Sequence, residues 1–132
     1  MLYGIECWAI KKQHISKMSV AEMRMLRWMC GKTRKDRIRN EHIREMVRVA
    51  PIEDKLRENR LRWFGLVQCT PIDAPMQKSD SIEGAGNVMG RGRSRLSWES
   101  VVKHDMSIFN LTELRALDHV DWRKRIHIAD PN

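Results

Sequence analysis

Long apolar runs and strand-like alternation are both missing from this 132-residue sequence. The apolar stretch at the N-terminus is short, lacks a basic start and is interrupted by Glu6, which excludes a signal peptide. Nothing approaches the roughly 18 apolar residues of a membrane span. No segment alternates apolar and polar residues for long enough to predict a strand. We therefore expect an intracellular protein, nuclear or cytoplasmic, with no membrane partner.

Cysteine is also scarce, and the groups that carry enzymatic chemistry do not cluster. Cys7, Cys30 and Cys69 are odd in number and far apart, which argues against a disulfide framework and favours a reducing compartment. They and the five histidines lack the short paired spacing of structural zinc sites. The carboxylates are scattered among Lys and Arg, and neither a phosphate-binding glycine loop nor a nucleophile motif is present. The sequence predicts no catalytic residue, no metal, no cofactor and no enzyme activity.

Apolar residues recur instead with the period of an α-helix, although only 6% of residues are aromatic and five of those are Trp. Residues 2–16 predict a first helix. Ser19 and Glu22 have the spacing of a capping box, which predicts a second helix ending before Gly31. Its apolar stripe, interpreted as core, comprises Val20, Met23, Leu26, Met29 and Cys30.

Further helices are predicted on both sides of an irregular segment. Asn40 is placed to cap a short helix, and Pro51 suits the first turn of a helix that runs to about residue 68. Beyond the irregular segment a helix starts near residue 98, Thr112 is placed to cap a short one, and a last helix ends before residue 129. Their predicted apolar residues are Ile43, Met46 and Val47; Ile52, Leu56, Leu61, Trp63, Phe64 and Val67; Trp98, Val101, Val102 and Met106; Leu114 and Leu117; and Val120, Trp122 and Ile126.

These elements predict an all-α fold, a small assembly of about five to seven amphipathic helices. Residues 1–69 form a helical region and residues 96–132 a C-terminal helical segment. Between them, residues 70–95 contain Gly, Pro and little apolar periodicity, which predicts a flexible linker. The linker ends in a basic Gly/Arg strip.

The net charge of +8 is concentrated in one block, because residues 23–62 hold 13 basic and 6 acidic residues. Such a block is suited to contact phosphates, although it is equally compatible with a solvated face. Trp63 and Phe64 lie near this block and are candidates to stack on a base, but their helical spacing favours the core. The predicted nucleic-acid-binding residues are Arg24, Arg27, Lys32, Arg34, Lys35, Arg37, Arg39, Arg57, Arg60, Arg62, Arg91, Arg93 and Arg95.

Six strings of the sequence, in order and at matching spacing, resemble the region that follows the palm in LINE-type (non-LTR) retrotransposon reverse transcriptases. Together they cover essentially the whole chain. The strings are LYGIECW (2–8), EMRMLRW (22–28), RNEHIR (39–44), NRLRWFG (59–65), RGR followed by W and KHD (91–93, 98 and 103–105), and WR followed by IHIADP (122–123 and 126–131).

The resemblance implies a thumb-like helical region of an RNA-directed DNA polymerase, which contacts template RNA and primer DNA. The catalytic aspartates of that family lie upstream and have no counterpart here, so the expectation is a non-catalytic fragment. Met1 directly before the first string suggests a reading frame that begins inside a longer ancestral one. A polymerase palm acting in trans is a further candidate partner.

An alternative interpretation is a structural or interaction module, or a non-functional relic, whose apolar faces packed on a missing palm. Leu66 stands where the family usually has His, and Ser94 where it usually has Pro. Such changes resemble drift in a decayed copy. This alternative predicts exposed Met and Trp side chains and self-association.

Overall fold

The computed structural model describes residues 4–71, 74–75 and 96–130. Within these ranges the chain is helical and has no strand, which confirms the all-α prediction. None of the helices in the described part is both long and apolar enough to cross a membrane. The predicted linker falls mainly on residues 76–95, outside the described ranges. The α-helices are α1 (Lys12–Met29), α2 (Asn40–Val47), α3 (Ile52–Gln68), α4 (Trp98–Ile108) and α5 (His119–Ile126), with 3₁₀ helices at Arg34–Asp36 and Glu113–Leu117.

Helix α1 replaces the two helices predicted near the N-terminus. It begins at Lys12 after non-helical backbone that includes Gly4 at φ +74°, so the prediction of a helix from residue 2 is wrong. It then continues without a break through Ser19 and Glu22. The predicted capping box does not start a helix, because Ser19 lies well inside one, where backbone N–H groups bond to carbonyls four residues earlier. Lys11 at the N-cap forms no side-chain cap, and this explains why the true start left no signature.

Helix α1 ends at Met29, before Gly31, as predicted. Gly31 has φ +64°, the left-handed conformation that glycine adopts without a Cβ penalty. Its N–H donates to the Trp28 carbonyl at 3.1 Å, and the Lys32 N–H donates to the Arg27 carbonyl at 2.8 Å. This pair of bonds is the Schellman motif, and it satisfies two carbonyls that the end of the helix would otherwise leave unpaired.

Helices α1 and α2 share a small core. Met23 and Leu26 of α1 and Ile43 of α2 are buried, with Cys30, Ile38 and Val47 packed against them. Beside this core the buried Glu22 carboxylate accepts a hydrogen bond from Arg44 Nη2 of α2 at 2.9 Å. The stripe predicted for α1 is therefore correct at Met23 and Leu26. It is wrong at Val20 and Met29, which are exposed.

The contacts within the chain define two compact units, Met1–Asn59 with His127–Asn132 and Arg60–Ile126, with α3 contributing residues to both. In the first unit the segment after α5 is bonded to the first half of α3 and to the residues before it. The Ala50 N–H donates to Asp130 Oδ1 at 3.1 Å, and the Ile128 N–H donates to Glu58 Oε2 at 3.3 Å. Lys55 Nζ donates to the Ile128 carbonyl at 2.6 Å. These bonds connect residues 70 to 80 positions apart.

The second unit has a core of buried apolar side chains built around Trp122. The Trp122 indole N–H donates to the Leu61 carbonyl at 2.9 Å, so the buried ring has its polar atom satisfied. Gly65 faces this ring so closely that an added Cβ would lie 2.6 Å from Trp122 Nε1. The core comprises Leu61, Phe64, Val102, Met106, Leu111, Ala116, Trp122 and Ile126.

Three apolar residues predicted for the C-terminal core are exposed instead. Leu114 and Leu117 lie in the 3₁₀ helix, where the three-residue turn places Ala116 inward, and Ala116 is fully buried. Val120 of α5 is exposed, while Trp122 and Ile126 are buried as predicted. The Thr112 side chain forms no cap hydrogen bond.

Candidate nucleic-acid interface

A groove of about 400 Å³ in the first unit lies between the C-terminal half of α1 and the loop that follows it. The α1 side carries Arg24 and Trp28 one turn apart, and the loop side carries Lys32 and Arg34. We call this site the basic groove. Its lining is completed by Val20, Met23, Arg27 and Asn40.

Arg27 fixes the loop side of the basic groove. Its Nη2 donates to the Ile38 carbonyl at 2.7 Å and to Asn40 Oδ1 at 3.0 Å, and its Nη1 donates to the Thr33 carbonyl at 3.3 Å. The half-buried guanidinium therefore satisfies two backbone carbonyls of a segment with little regular structure. Asn40 was predicted to cap α2, but it is the first residue of that helix, and its side chain accepts from Arg27.

The loop itself, residues 32–39, is shaped by Asp36. The Asp36 carboxylate accepts from the Thr33 backbone N–H at 2.6 Å and from Thr33 Oγ1 at 3.0 Å. These two hydrogen bonds hold the pKa of Asp36 below its ordinary value, and the bond from the Thr33 N–H has the larger effect. Arg37 follows with φ 49°, an uncommon left-handed conformation for a non-glycine residue. The only acidic group of the loop is thus engaged in forming the turn.

Apart from the half-buried Arg27, the predicted basic residues of this region lie at the surface, and Arg24, Lys32 and Arg34 line the basic groove together. Arg24 belongs to α1 and the others belong to the loop, and all are exposed. None of them forms an ion pair with another described residue, whereas many other cations of the chain do. We call this set the exposed cations. They are Arg24, Lys32, Arg34, Lys35, Arg37 and Arg39.

The predicted residues of α3 are not part of this set. Arg57 is half-buried and is paired with Asp54 one turn earlier. The expectation that Arg60 faces solvent or ligand is wrong: it is 4% exposed and bonded to Asp105 at 2.7 Å through Nη2 and 2.8 Å through Nε. Arg62 is exposed and belongs to the second unit. Arg91, Arg93 and Arg95 lie outside the described residues.

Trp28 is a component of the basic groove that sequence reasoning missed. Its side chain is 83% exposed, more than any other large apolar side chain in the described ranges. A signal was present, because Trp28 lies off the stripe of Met23 and Leu26 and one turn after Arg24. The candidates for stacking had been Trp63 and Phe64. Phe64 is a buried core residue, as its spacing favoured, and its ring lies 6.0 Å from that of Trp122.

The rest of the described chain offers little that could hold a metal. Across residues 4–71, 74–75 and 96–130, no three His, Cys, Asp or Glu side chains are grouped as ligands. Cys7, Cys30 and Cys69 are free thiols. No family model, curated protein or solved structure matches this chain.

Proposed function

We propose that the chain binds nucleic acid without sequence specificity through the exposed cations around the basic groove. In this proposal it is a non-catalytic fragment of a LINE-type reverse transcriptase, and its ligands are RNA and DNA. The observation that carries the proposal is a set of six solvent-facing cations, Arg24 of α1 and five on the loop of residues 32–39, whose one acid is engaged by Thr33.

The chemistry of these side chains supports a phosphate ligand. Arginine can bind phosphate oxygens in bidentate fashion, and four of the six exposed cations are arginines. Cations on a loop that Arg27 holds in place lose less freedom on binding than cations on a mobile loop. Since phosphates repeat along every strand and carry no sequence information, contacts of this kind predict binding without specificity.

The test is a fluorescence-anisotropy titration of labelled single-stranded RNA and DNA at low and high salt. The wild-type chain is expected to bind at low salt and to weaken steeply as salt rises, because each phosphate contact releases counterions. A triple variant, Arg34→Gln with Lys35→Gln and Arg37→Gln, is expected to weaken binding of all sequences similarly.

A charge-matched control separates this surface from net charge. Arg115→Gln with Arg123→Gln and Lys124→Gln removes the same charge from exposed positions in the second unit. Its binding is expected to remain close to that of the wild type. Absence of binding by the wild type at low salt, or equal losses in the two triple variants, would contradict the proposal.

A second candidate function rests on exposed apolar side chains near the N-terminus. Trp8 is 71% exposed and lies beside a shallow apolar hollow of about 370 Å³ that Ile5, Ile10 and Met18 help to line. This surface supports the interaction-module interpretation, in which a polymerase palm covers it in trans. Size-exclusion chromatography tests this candidate: self-association that Trp8→Ser abolishes would support it, and a monomeric wild-type chain would count against it.

A further inference from the structure

We propose that the basic groove selects single-stranded nucleic acid by stacking one unpaired base on the indole of Trp28. This inference rests on the proposed function and adds the class of ligand. It depends on the position of an exposed aromatic ring among cations, not on net charge.

The two sides of the basic groove differ in chemistry. On the α1 side, Val20, Arg24 and Trp28 are successive residues one turn apart, so an exposed ring continues a line that is partly apolar. On the other side, Lys32 and Arg34 are cationic and exposed. A single strand has the same two sides, with bases along one edge and phosphates along the other. The groove therefore has complementary groups for both parts of a nucleotide.

Trp28 is free to act as a stacking platform. Its ring has no aromatic partner among the described residues, whereas Phe64 is packed between Trp98 and Trp122. Base-on-aromatic stacking is tolerant of sequence, since every base presents a π-face. In a duplex both faces of an internal base are already covered by its neighbours. Stacking on Trp28 therefore requires an unpaired base and discriminates between single strands and duplex.

A protein partner is the other class of ligand that could cover Trp28. The flanking charge favours nucleic acid, because protein interfaces are depleted of lysine at their centres while nucleic-acid interfaces are strongly positive. Arg24, Lys32 and Arg34 line the same groove as the ring, and all three are exposed. If a protein covers Trp28 instead, Trp28→Ala is expected to bind nucleic acid as tightly as the wild type does.

The experiment measures the affinity of Trp28→Ala and Trp28→Phe for a 20-nucleotide oligo-dT, the same length of oligo-U, and a blunt 20-base-pair duplex, at one salt concentration. Trp28→Ala is expected to lose about 5- to 100-fold in affinity for both single strands, as removal of a stacking ring typically does. Affinity for the duplex is expected to be unchanged, because phosphate contacts remain. Trp28→Phe is expected to restore most of the loss.

Trp8→Ala is the matched control, because Trp8 is also an exposed tryptophan of the first unit but lies outside the basic groove. It is expected to bind all three ligands as the wild type does. Far-ultraviolet circular dichroism checks folding, which substitution of an 83% exposed ring leaves intact.

The outcomes separate this inference from the proposed function. A wild-type chain that binds none of the three ligands contradicts the proposed function and the inference together. A wild-type chain that binds them, with Trp28→Ala unchanged or weakened equally for duplex and single strands, overturns the inference alone. The unchanged result is also the one expected if a protein covers Trp28.

Discussion

The described arginines of this chain differ in role, and the surroundings of each guanidinium decide which role it has. Arg27 is half-buried and bonds to loop carbonyls, while Arg24, less than one turn earlier on α1, is exposed. Arg60 is almost fully buried against Asp105. A buried ion pair of this kind contributes little net stability over apolar residues of similar volume, but breaking it leaves one charge buried and unpaired. Arg60 and Asp105 therefore depend on each other.

This dependence predicts a large effect of Asp105→Asn on the second unit. The substitution is expected to lower the free energy of unfolding by about 3–5 kcal/mol, because the Arg60 charge stays buried without its carboxylate. Urea denaturation followed by tryptophan fluorescence measures the change. In the double variant Arg60→Met with Asp105→Leu, much of the loss is expected to be recovered.

The exposed pair Arg125–Asp121 provides the control, since its two side chains are 47% and 39% exposed. Asp121→Asn is expected to cost less than about 1 kcal/mol, as surface pairs usually do. If Asp105→Asn lowers the free energy of unfolding no more than Asp121→Asn does, the Arg60 charge is not left buried and unpaired in the variant.

At the scale of elements, the end of α1 shapes the basic groove. The Schellman motif at Gly31 turns the chain out of the helix after Met29, and the loop bearing most of the exposed cations begins at Lys32. A Cβ added at Gly31 would meet no other group within 4 Å. The requirement for glycine is therefore one of backbone conformation alone.

Gly31→Ala tests that requirement. It is expected to destabilise the first unit by about 1 kcal/mol, because a Cβ is unfavourable in the left-handed conformation at φ +64°. Gly31→Asn is expected to cost less, since asparagine tolerates this conformation better than alanine. Thermal unfolding compares the two variants. An alanine variant as stable as the wild type would mean that the turn can re-form without a positive φ.

Elements with local signatures could be predicted from the sequence, and elements defined by distant partners could not. The end of α1 at Gly31, the start of α3 after Pro51 and the core positions of Trp122 and Ile126 follow from capping chemistry and period. The capping box at Ser19 was wrong because α1 already runs through Ser19, and Glu22 is instead bound by Arg44 of α2. That partner lies 22 residues away, and no local rule points to it.

In the candidate site, too, features with a local signature could be predicted and features set by distant partners could not. Spacing identified Arg24 and the basic loop as charged and off the core stripe, and both are exposed. Spacing could not separate Arg60 from them, because its partner Asp105 follows 45 residues later. Trp28 was missed for a different reason: an apolar residue is expected to be buried, and its position off the stripe of Met23 and Leu26 was outweighed by that expectation.

At the scale of the whole molecule, strings that are distant in sequence meet within each unit. In the first unit the string at 22–28 bonds to the string at 39–44 through Glu22–Arg44 and Arg27–Asn40. In the second unit the string at 59–65 bonds to Asp105 and Trp122, which belong to the last two strings. These strings supply several of the non-local hydrogen bonds of the fold, so their residues serve packing as well as any contact with a ligand.

The contact of Asp130 with Ala50 predicts a pH dependence of the first unit. The hydrogen bond from the Ala50 N–H and the charge of Lys55 hold the pKa of Asp130 below its ordinary 3.8. A lowered pKa in the folded state means that the stabilisation is present above pH 3.8 and is lost as pH falls through the folded-state value. Asp130→Asn is therefore expected to be less stable than the wild type at neutral pH.

The difference between Asp130→Asn and the wild type should shrink as pH falls from 3.8 through the lower folded-state pKa, because the wild-type carboxylate then gains a proton and loses its charge. Thermal unfolding at a series of pH values from neutral downward measures it. Asp36→Asn removes another carboxylate whose pKa is lowered. It shows how much of the loss of stability in acid comes from the loop instead. A gap between Asp130→Asn and the wild type that stays constant with pH would argue against this contact in solution.

The distribution of charge over the molecule makes the salt dependence of binding a quantitative test. If all six exposed cations contact phosphates, the logarithm of the association constant for a single strand should fall with the logarithm of salt concentration at a slope of about −4, because each contact contributes about −0.7. Lys35→Gln with Arg37→Gln should reduce the slope to about −3, since two contacts are removed. Arg123→Gln with Lys124→Gln removes the same charge from α5 and should leave the slope unchanged. Anisotropy titrations over a range of salt concentrations measure all three slopes, and an equal reduction in the two double variants would mean that net charge, not the loop, determines affinity.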